Sequence, residues 1–347
     1  MSVSPTDKRP ISSDYLIIGG GVAGCALTYA LAKRGSSVTL VERGEIGRCG
    51  ASSVPVALLN PYRGRSARAN GLDLAGLAAV ERLMGELSAL GLEHGVHLNG
   101  VLRVASNKKQ AKTWRKREGV RWLEPEEVGK VYHAPFGGFL VERGGWLEPL
   151  KFLRALVNAA ERNGAVVLGH HPVQHHPVKA VRPNGAWQEV ETSKGTLSAK
   201  TVIYCVGANA EVEARLGVGL EHVAGEVIGL ETDAHLPHAL AGAIYGAQVE
   251  GRVHIGGNHR PAGRTDESAP RQLQRSASWF IPALEEAELS AVWTGVRAKA
   301  ENNMPVIQEV REGVWFFGAL AGRGFLCAAH LAEGLAERLE RGVRSEN

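Results

Sequence analysis

The sequence predicts an α/β fold in which a parallel-sheet domain is discontinuous and a strand-rich α+β domain is threaded between its pieces. Three observations predict it. The chain opens with a strand-turn-helix-strand signal: Tyr15-Leu16-Ile17-Ile18, then Gly19-Gly20-Gly21-Val22-Ala23-Gly24, then a helical pattern, then Val38-Thr39-Leu40-Val41 closed by Glu42. A second α/β signal begins at Pro149, and a third closes the chain. Strand-rich segments fill the intervals, so one domain assembled from separated pieces is the economical arrangement.

Each element follows from its local pattern. The first helix spans 22–33 and stops at Gly35, a natural C-terminal cap. Residues 44–62 read as a long, weakly periodic connection. A helix is expected over 72–90, a strand over 96–104, a strongly basic stretch over 108–121 and a short strand over 139–142. Leu150, Leu153, Leu156 and Val157 repeat with helical spacing, and that helix ends near Gly164. Residues 166–168 and 201–206 read as strands, the latter ending at Gly207. Further strands are expected at 226–231, 243–249, 252–255 and 292–296, interrupted by a helix over 269–279. Strand 314–317 and a helix over 324–341 finish the chain. This division assigns 14–90, 147–220 and 297–347 to the discontinuous domain, and 91–146 and 221–296 to the inserted one.

The opening glycines have a physical purpose. Gly19 permits a sharp turn, Gly21 lets backbone approach a pyrophosphate, and Gly24 lets helix and strand pack closely. A pyrophosphate placed there meets unpaired N–H groups at the positive end of the helix. Glu42 lies 18 residues beyond Gly24, where it can accept hydrogen bonds from a ribose. Together these features describe a dinucleotide cradle. Nicotinamide enzymes more often keep that cradle continuous, so the interleaving favours a flavoprotein.

Composition narrows the reading. The 347 residues allow one large domain or two sharing a core. An apolar fraction of 44% and a charged fraction of 22% suit a soluble enzyme, and a net charge of +4 permits anionic substrates without indicating nucleic acid. No apolar stretch is long enough to span a bilayer, and residues 1–14 lack a secretory pattern, so stable membrane insertion is not expected and a cytoplasmic location is. Cys25, Cys49, Cys205 and Cys327 are scattered and read as reduced thiols. His170, His171, His175 and His176 lack the full ligand set of a zinc motif, read as surface or strand histidines, and imply no metal.

Several segments, in order, resemble the D-amino-acid-oxidase-type flavoproteins over nearly the whole chain. They are 17–24, Gly50-Ala51-Ser52-Ser53, Gly144-Gly145-Trp146-Leu147-Glu148-Pro149, 202–207, Trp293-Thr294-Gly295-Val296-Arg297, Met304-Pro305-Val306-Ile307, and Gly322-Arg323-Gly324-Phe325-Leu326. Within the family the chain is most similar to the glycine oxidases and to the FAD domain of the bifunctional enzymes that finish 5-methylaminomethyl-uridine at the tRNA wobble position.

The resemblance implies a Rossmann-like FAD-binding domain with non-covalent FAD, because no cysteine lies near the place where some relatives attach the cofactor. It implies cofactor contacts from Gly19, Gly21, Val22, Ala23, Gly24, Glu42 and Arg43. The segment 50–58 would thread past the pyrophosphate and the flavin ring, bringing Ser52, Ser53, Ala57 and Leu58. Val173 would meet the adenine through its backbone, Gly207 would close a strand beside the cofactor, and Gly322, Arg323, Gly324, Phe325 and Leu326 would start the last helix under the flavin. A helix N-terminus there stabilises the negative charge of a reduced flavin.

Arg297 matches the family arginine that grips a substrate carboxylate, a role its planar fork suits; a structural salt bridge is the other reading. Ala298-Lys299-Ala300 follows where family members often have proline. Tyr245 falls near a carboxylate-holding tyrosine, with core packing as its alternative. Tyr62 and Arg63 line the pocket or belong to a plain loop. The basic run 108–117 is a solvated helix face or a phosphate-backbone contact.

The implied activity is FAD-dependent amine oxidation on a glycine-like group, an amino acid or an N-substituted glycine, giving an imine that hydrolyses. Proximity carries such a step, so no catalytic side chain is assigned. The same chemistry on the carboxymethylaminomethyl group of a tRNA wobble uridine is the alternative, and a non-redox FAD-binding protein is the alternative of another class.

Overall fold

The computed structural model describes residues 11–129, 132–169, 178–192, 194–264 and 266–345. Eight strands build the first sheet: β1 (Ser12–Ile18), β2 (Val38–Val41), β9 (Val166–Leu168), β10 (Val178–Asn184), β11 (Trp187–Thr192), β12 (Gly195–Tyr204), β19 (Val306–Arg311) and β20 (Val314–Gly318). Its parallel heart runs β9-β2-β1-β12-β20, with β19 antiparallel on β20 and the β10–β11 hairpin antiparallel on β12. A second sheet holds β5 (Val101–Val104), β6 (Arg121–Leu123), β7 (Gly138–Val141), β13 (Glu221–Glu231), β14 (Ala239–Ala241), β15 (Tyr245–Val249), β16 (Arg252–Gly256), β17 (Arg260–Pro261) and β18 (Glu288–Lys299). A small third sheet pairs β3 (Ala57–Leu59) and β4 (Val96–His97) with β8 (Gly145–Leu147).

Helices α1 (Val22–Ala32), α2 (Gly71–Ala89), α5 (Pro149–Arg162) and α8 (Gly324–Ser345) cover one face of the first sheet. Helices α3 (Lys108–Trp114), α4 (Pro125–Val128) and α7 (Ala269–Ser278) pack with the second sheet, and α6 (Ala210–Leu216) follows β12. Every residue of α1 is buried, as an all-apolar helix between a sheet and two helices must be. Tyr15 and Ile17 face α1, while Leu16 and Ile18 face the opposite cluster with Phe316. A parallel strand covered on both faces needs this continuous apolar run. Among the described residues no helix is long and apolar enough to cross a membrane.

The turn after β1 depends on glycine. Gly19 has φ +112°, and a Cβ at Gly24 would lie 1.9 Å from the Gly19 carbonyl oxygen. Gly76 serves the same end elsewhere, where α2 crosses α8: its Cβ would lie 2.4 Å from the Leu326 carbonyl oxygen.

The expected helices and most strands are present within a few residues of the predicted ends. Three differences stand out. The strand expected over 96–104 is two strands in different sheets, because Gly100 (φ +94°) turns the chain between them and its N–H donates to the Gly144 carbonyl. The β10–β11 hairpin was not expected; its two-residue turn places Gly185 at φ +61°, while Pro183 and the polar residues of β11 mask the apolar alternation. The strand expected at 292–296 runs from Glu288 to Lys299, held along its length by β13. The division proposed at 296/297 therefore cuts an unbroken strand, and Arg297 stays with the second sheet.

Gly76→Ala forces α2 and α8 apart. We expect it to lower stability by about 1–3 kcal/mol, read by chemical denaturation, although Gly76 lies outside the glycine turn.

Candidate active site

A cavity of about 460 Å³ opens at the carboxyl ends of β1, β2 and β12 and reaches across to β18. Its position follows from topology. The chain leaves β1 for β2 on one side, and β12 lies on the other, so the crevice forms where strand order reverses.

Of the residues expected from sequence, Gly19, Gly21, Val22, Ala23, Glu42, Arg43, Ser52, Ala57, Leu58, Gly207, Tyr245, Arg297 and the run 322–326 line this cavity. Gly24 does not; it packs behind the turn. Ser53 also stands off, because its hydroxyl donates to the Gly50 carbonyl at 2.9 Å and accepts from Trp293 Nε1 at 2.9 Å. Tyr62 is corrected to a core residue: it is buried against Phe139, with ring centroids 5.8 Å apart, and its hydroxyl donates to the Glu118 carbonyl at 3.2 Å. Val173 and the four clustered histidines lie outside the described residues.

The donor set fits FAD. Gly21 precedes α1 in extended conformation, and no acidic residue occupies the helix's first turn. The Val22 N–H donates to Ser52 Oγ at 3.0 Å, tying the threading segment to the glycine turn. A Cβ at Gly21 would close in on that hydroxyl at 3.1 Å. The Glu42 carboxylate is buried and accepts from the Gly20 N–H at 2.6 Å and the Gly44 N–H at 3.1 Å. Two of its roughly four lone-pair sites remain for a ribose. At the other end α8 begins at Gly324 with no acid in its first turn and with Arg323 beside it, a positive pole for an electron-rich ring.

The β18 wall is set by register. Val223 faces Arg297 and Gly225 faces Gly295 across the β13–β18 pair. Trp293, Gly295 and Arg297 share a face at strand period two. A Cβ at Gly225 would meet Arg297 Nη2 at 2.8 Å, so that glycine makes room for the guanidinium. Glu226, the nearby carboxylate, is already consumed: Arg260 pairs with it, Asn258 Nδ2 donates to it, and Asn258 Oδ1 accepts the Glu226 N–H at 2.8 Å. Among the described residues the Arg297 guanidinium has no ion-pair or hydrogen-bond partner, while its backbone belongs to the β13–β18 ladder. Burial pushes the Tyr245 phenol up, and the Arg297 charge opposes that shift, so the hydroxyl stays protonated beside the arginine.

A second charged group lies under the start of α8. Asp73, fully buried, accepts from Asn70 Nδ2 at 3.0 Å and from Cys327 Sγ at 3.5 Å, with Arg323 Nη1 at 3.8 Å. Burial, then the Asp73 charge, pushes the Cys327 thiol up to about 12, so it is not a nucleophile near neutral pH. Trp293, quoted from sequence only within the segment 293–297, Glu226 and Asn258 were not assigned roles from sequence. Glu226 and Asn258 meet through tertiary pairing.

Glu42→Ala strands two backbone N–H groups as well as removing a ribose acceptor. We expect the apoprotein to lose about 2 kcal/mol and the purified protein to retain less FAD, read by thermal denaturation and by the flavin absorbance.

Residues 14–338 match the family described as FAD dependent oxidoreductase, DAO. The glycine oxidase of Geobacillus kaustophilus is 27% identical over 349 residues, covering 93% of this chain and 89% of that protein. The tRNA 5-methylaminomethyl-2-thiouridine biosynthesis bifunctional protein of Cupriavidus metallidurans is 28% identical; the alignment covers 92% of this chain but 51% of that longer protein. The crystal structure of the Geobacillus kaustophilus glycine oxidase superposes with a TM-score of 0.83 at 26% identity over 95% of each chain. The L-proline dehydrogenase from P. horikoshii, at 19% identity and a TM-score of 0.82, shares the fold. With the cradle, the cavity-lining arginine and this match in place, the chain belongs to the DAO family of FAD-dependent oxidoreductases, enzymes that act on C–N bonds.

Proposed function

We propose that this protein oxidises an amine whose nitrogen carries a CH2-carboxylate group, an amino acid or an N-substituted glycine, using non-covalently held FAD. The observation that carries the reading is Arg297: a guanidinium without a protein partner, aimed into the cavity from β18, with the protonated Tyr245 hydroxyl nearby. Bound FAD supplies the acceptor for the hydride leaving the carbon next to nitrogen, and water hydrolyses the resulting imine. Arg297 holds the carboxylate by bidentate hydrogen bonds and so fixes the position of that carbon. Tyr245 adds a hydroxyl donor. Trp293, locked to Ser53, closes the cavity on the β18 side and limits bulk water. Burial pushes the Cys49 and Cys205 thiols up, which leaves these cavity-lining groups unreactive and favours non-covalent binding. In this reading the first sheet serves the cofactor and the second the substrate.

A second reading has a specific observation behind it. The exposed Lys108, Lys109 and Lys112 of α3 stand next to the loop after β3, since Trp114 Nε1 donates to the Arg65 carbonyl at 3.3 Å and Arg117 Nη2 to the Ser66 carbonyl at 2.8 Å. A basic helix near the site suits a substrate group carried on tRNA. Filter binding of bulk tRNA at moderate salt separates the two readings, and no retention removes the second.

The purified protein is expected to be yellow and to lose its visible absorbance when mixed anaerobically with N-methylglycine or a related amine. A flavin that no amine in such a panel bleaches overturns the oxidase reading. Arg297→Ala should raise KM on the order of 10- to 100-fold, the worth of a charge-assisted pair, while flavin content stays unchanged. Unaltered kinetics removes Arg297 from the substrate site.

A further inference from the structure

A second guanidinium meets the same space as Arg297. Gly322 is exposed at the start of α8, and a Cβ placed on it would lie 3.3 Å from Arg63 Nη2 and 3.6 Å from Arg297 Nη1. The two nitrogens therefore lie on either side of the Cβ direction of Gly322, which lines the cavity with Arg297, while Arg63 is not itself a lining residue. Arg63 reaches that glycine from the loop after β3, and Arg297 reaches it from β18.

Arg63 is held there by the fold. Arg103 on β5 is buried, and its guanidinium donates to the Tyr62 carbonyl and, at 2.9 Å, to the Gly64 carbonyl. These are the residues on either side of Arg63. Arg103 itself lies over the Trp114 ring at 4.9 Å, so its position is fixed by the core of the second sheet. The clamp spends a buried cation on the geometry of a single loop residue.

No carboxylate among the described residues pairs directly with the charge at Gly322. Asp73 is engaged by Asn70, Cys327 and Arg323, and Glu226 is engaged by Arg260 and Asn258. Among the described residues neither Arg63 nor Arg297 has a carboxylate within ion-pair distance, and Arg63 Nη1 is buried without a hydrogen-bond partner. Burial, and after it the Arg323 charge, lowers the pKa of Arg63, with the Asp73 charge opposing the shift. Two converging, partly desolvated guanidiniums are costly unless anions join them.

We propose that Arg63 is a second anion-holding side chain of this site, so that the favoured amine carries two acidic groups, one met by Arg297 and the other by Arg63. This rests on the reading of the site as one for carboxylate-bearing amines and names the class within it. A monocarboxylic amine leaves Arg63 unpaired, whereas an N-(carboxyalkyl)glycine satisfies both. A side chain at Gly322 would press on both guanidiniums, 3.3 Å from Arg63 Nη2 and 3.6 Å from Arg297 Nη1.

The test uses the FAD-loaded protein and ligands that contain no amine to oxidise. By titration calorimetry, malonate should bind at least about 10-fold more tightly than acetate, and Arg63→Met should weaken malonate on the order of 10- to 100-fold while changing acetate less than about 3-fold. In turnover, iminodiacetate should surpass N-methylglycine in kcat/KM, and Arg63→Met should erase that preference. Equal affinity for malonate and acetate in the unaltered protein overturns the proposal, and that comparison stands even if the variant fails to load flavin. Equal weakening of both ligands by Arg63→Met overturns it as well. If malonate binding depends on Arg63 but no amine bleaches the flavin, the two-anion site stands and the oxidase reading falls. If N-methylglycine is oxidised without any advantage to the second acid group, the oxidase reading stands and the role of Arg63 falls.

Discussion

The structure depends on β12 pairing in parallel with β1 on one side and β20 on the other. Ile18 lies beside Tyr204, and Tyr204 beside Phe316, so three stretches far apart in the chain end along one line. The turns that follow them carry the glycine motif, Gly207 and the start of α8, and all three border one cavity. The crossing is tight. The Cys205 N–H donates to the Ile18 carbonyl at 2.8 Å, and a Cβ at Gly19 would lie 2.4 Å from the Cys205 carbonyl oxygen. Backbone meets backbone there, which is why the opening turn is glycine and why the inserted strands can be long without disturbing the cradle.

Charge around the cavity is arranged by subtraction. Glu42 is held by two backbone N–H groups, Glu226 by Arg260 and Asn258, and Asp73 by Asn70, Cys327 and Arg323. Each of these carboxylates is satisfied inside the protein, and none forms an ion pair with Arg63 or Arg297. A low-dielectric cavity strengthens this bias, because an unpaired cation there gains more from an incoming anion than it does in water. The arrangement is consistent with the acidic substrate proposed for this site.

Arg103 shows how the inserted sheet fixes the loop after β3. Its side chain is buried among Trp114, Phe139 and two loop carbonyls. Burial lowers its pKa to about 10, still above neutral pH, so it remains a cation. Tyr62, adjacent to Arg63, turns the other way into that core. Neighbours in sequence thus divide: Tyr62 packs in the core, and the Arg63 guanidinium approaches Gly322.

The sequence by itself determined what depends on neighbours along the chain. Glycine spacing after an apolar run, Glu42 after the second strand, and the helices at 22, 149 and 324 were all legible, because strand and helix periods and turn chemistry are local. Arg297 was legible through its flanking residues. What only the tertiary structure decided lies in pairing across distance: Tyr62 as core, Ser53 committed to Trp293, the split of 96–104 between two sheets, and the meeting of Arg63 with Arg297 at Gly322. Which way a loop side chain points is set by what fills the space on each side of it, and here that space is filled by Phe139, Arg103 and β18, elements that no local pattern brings together.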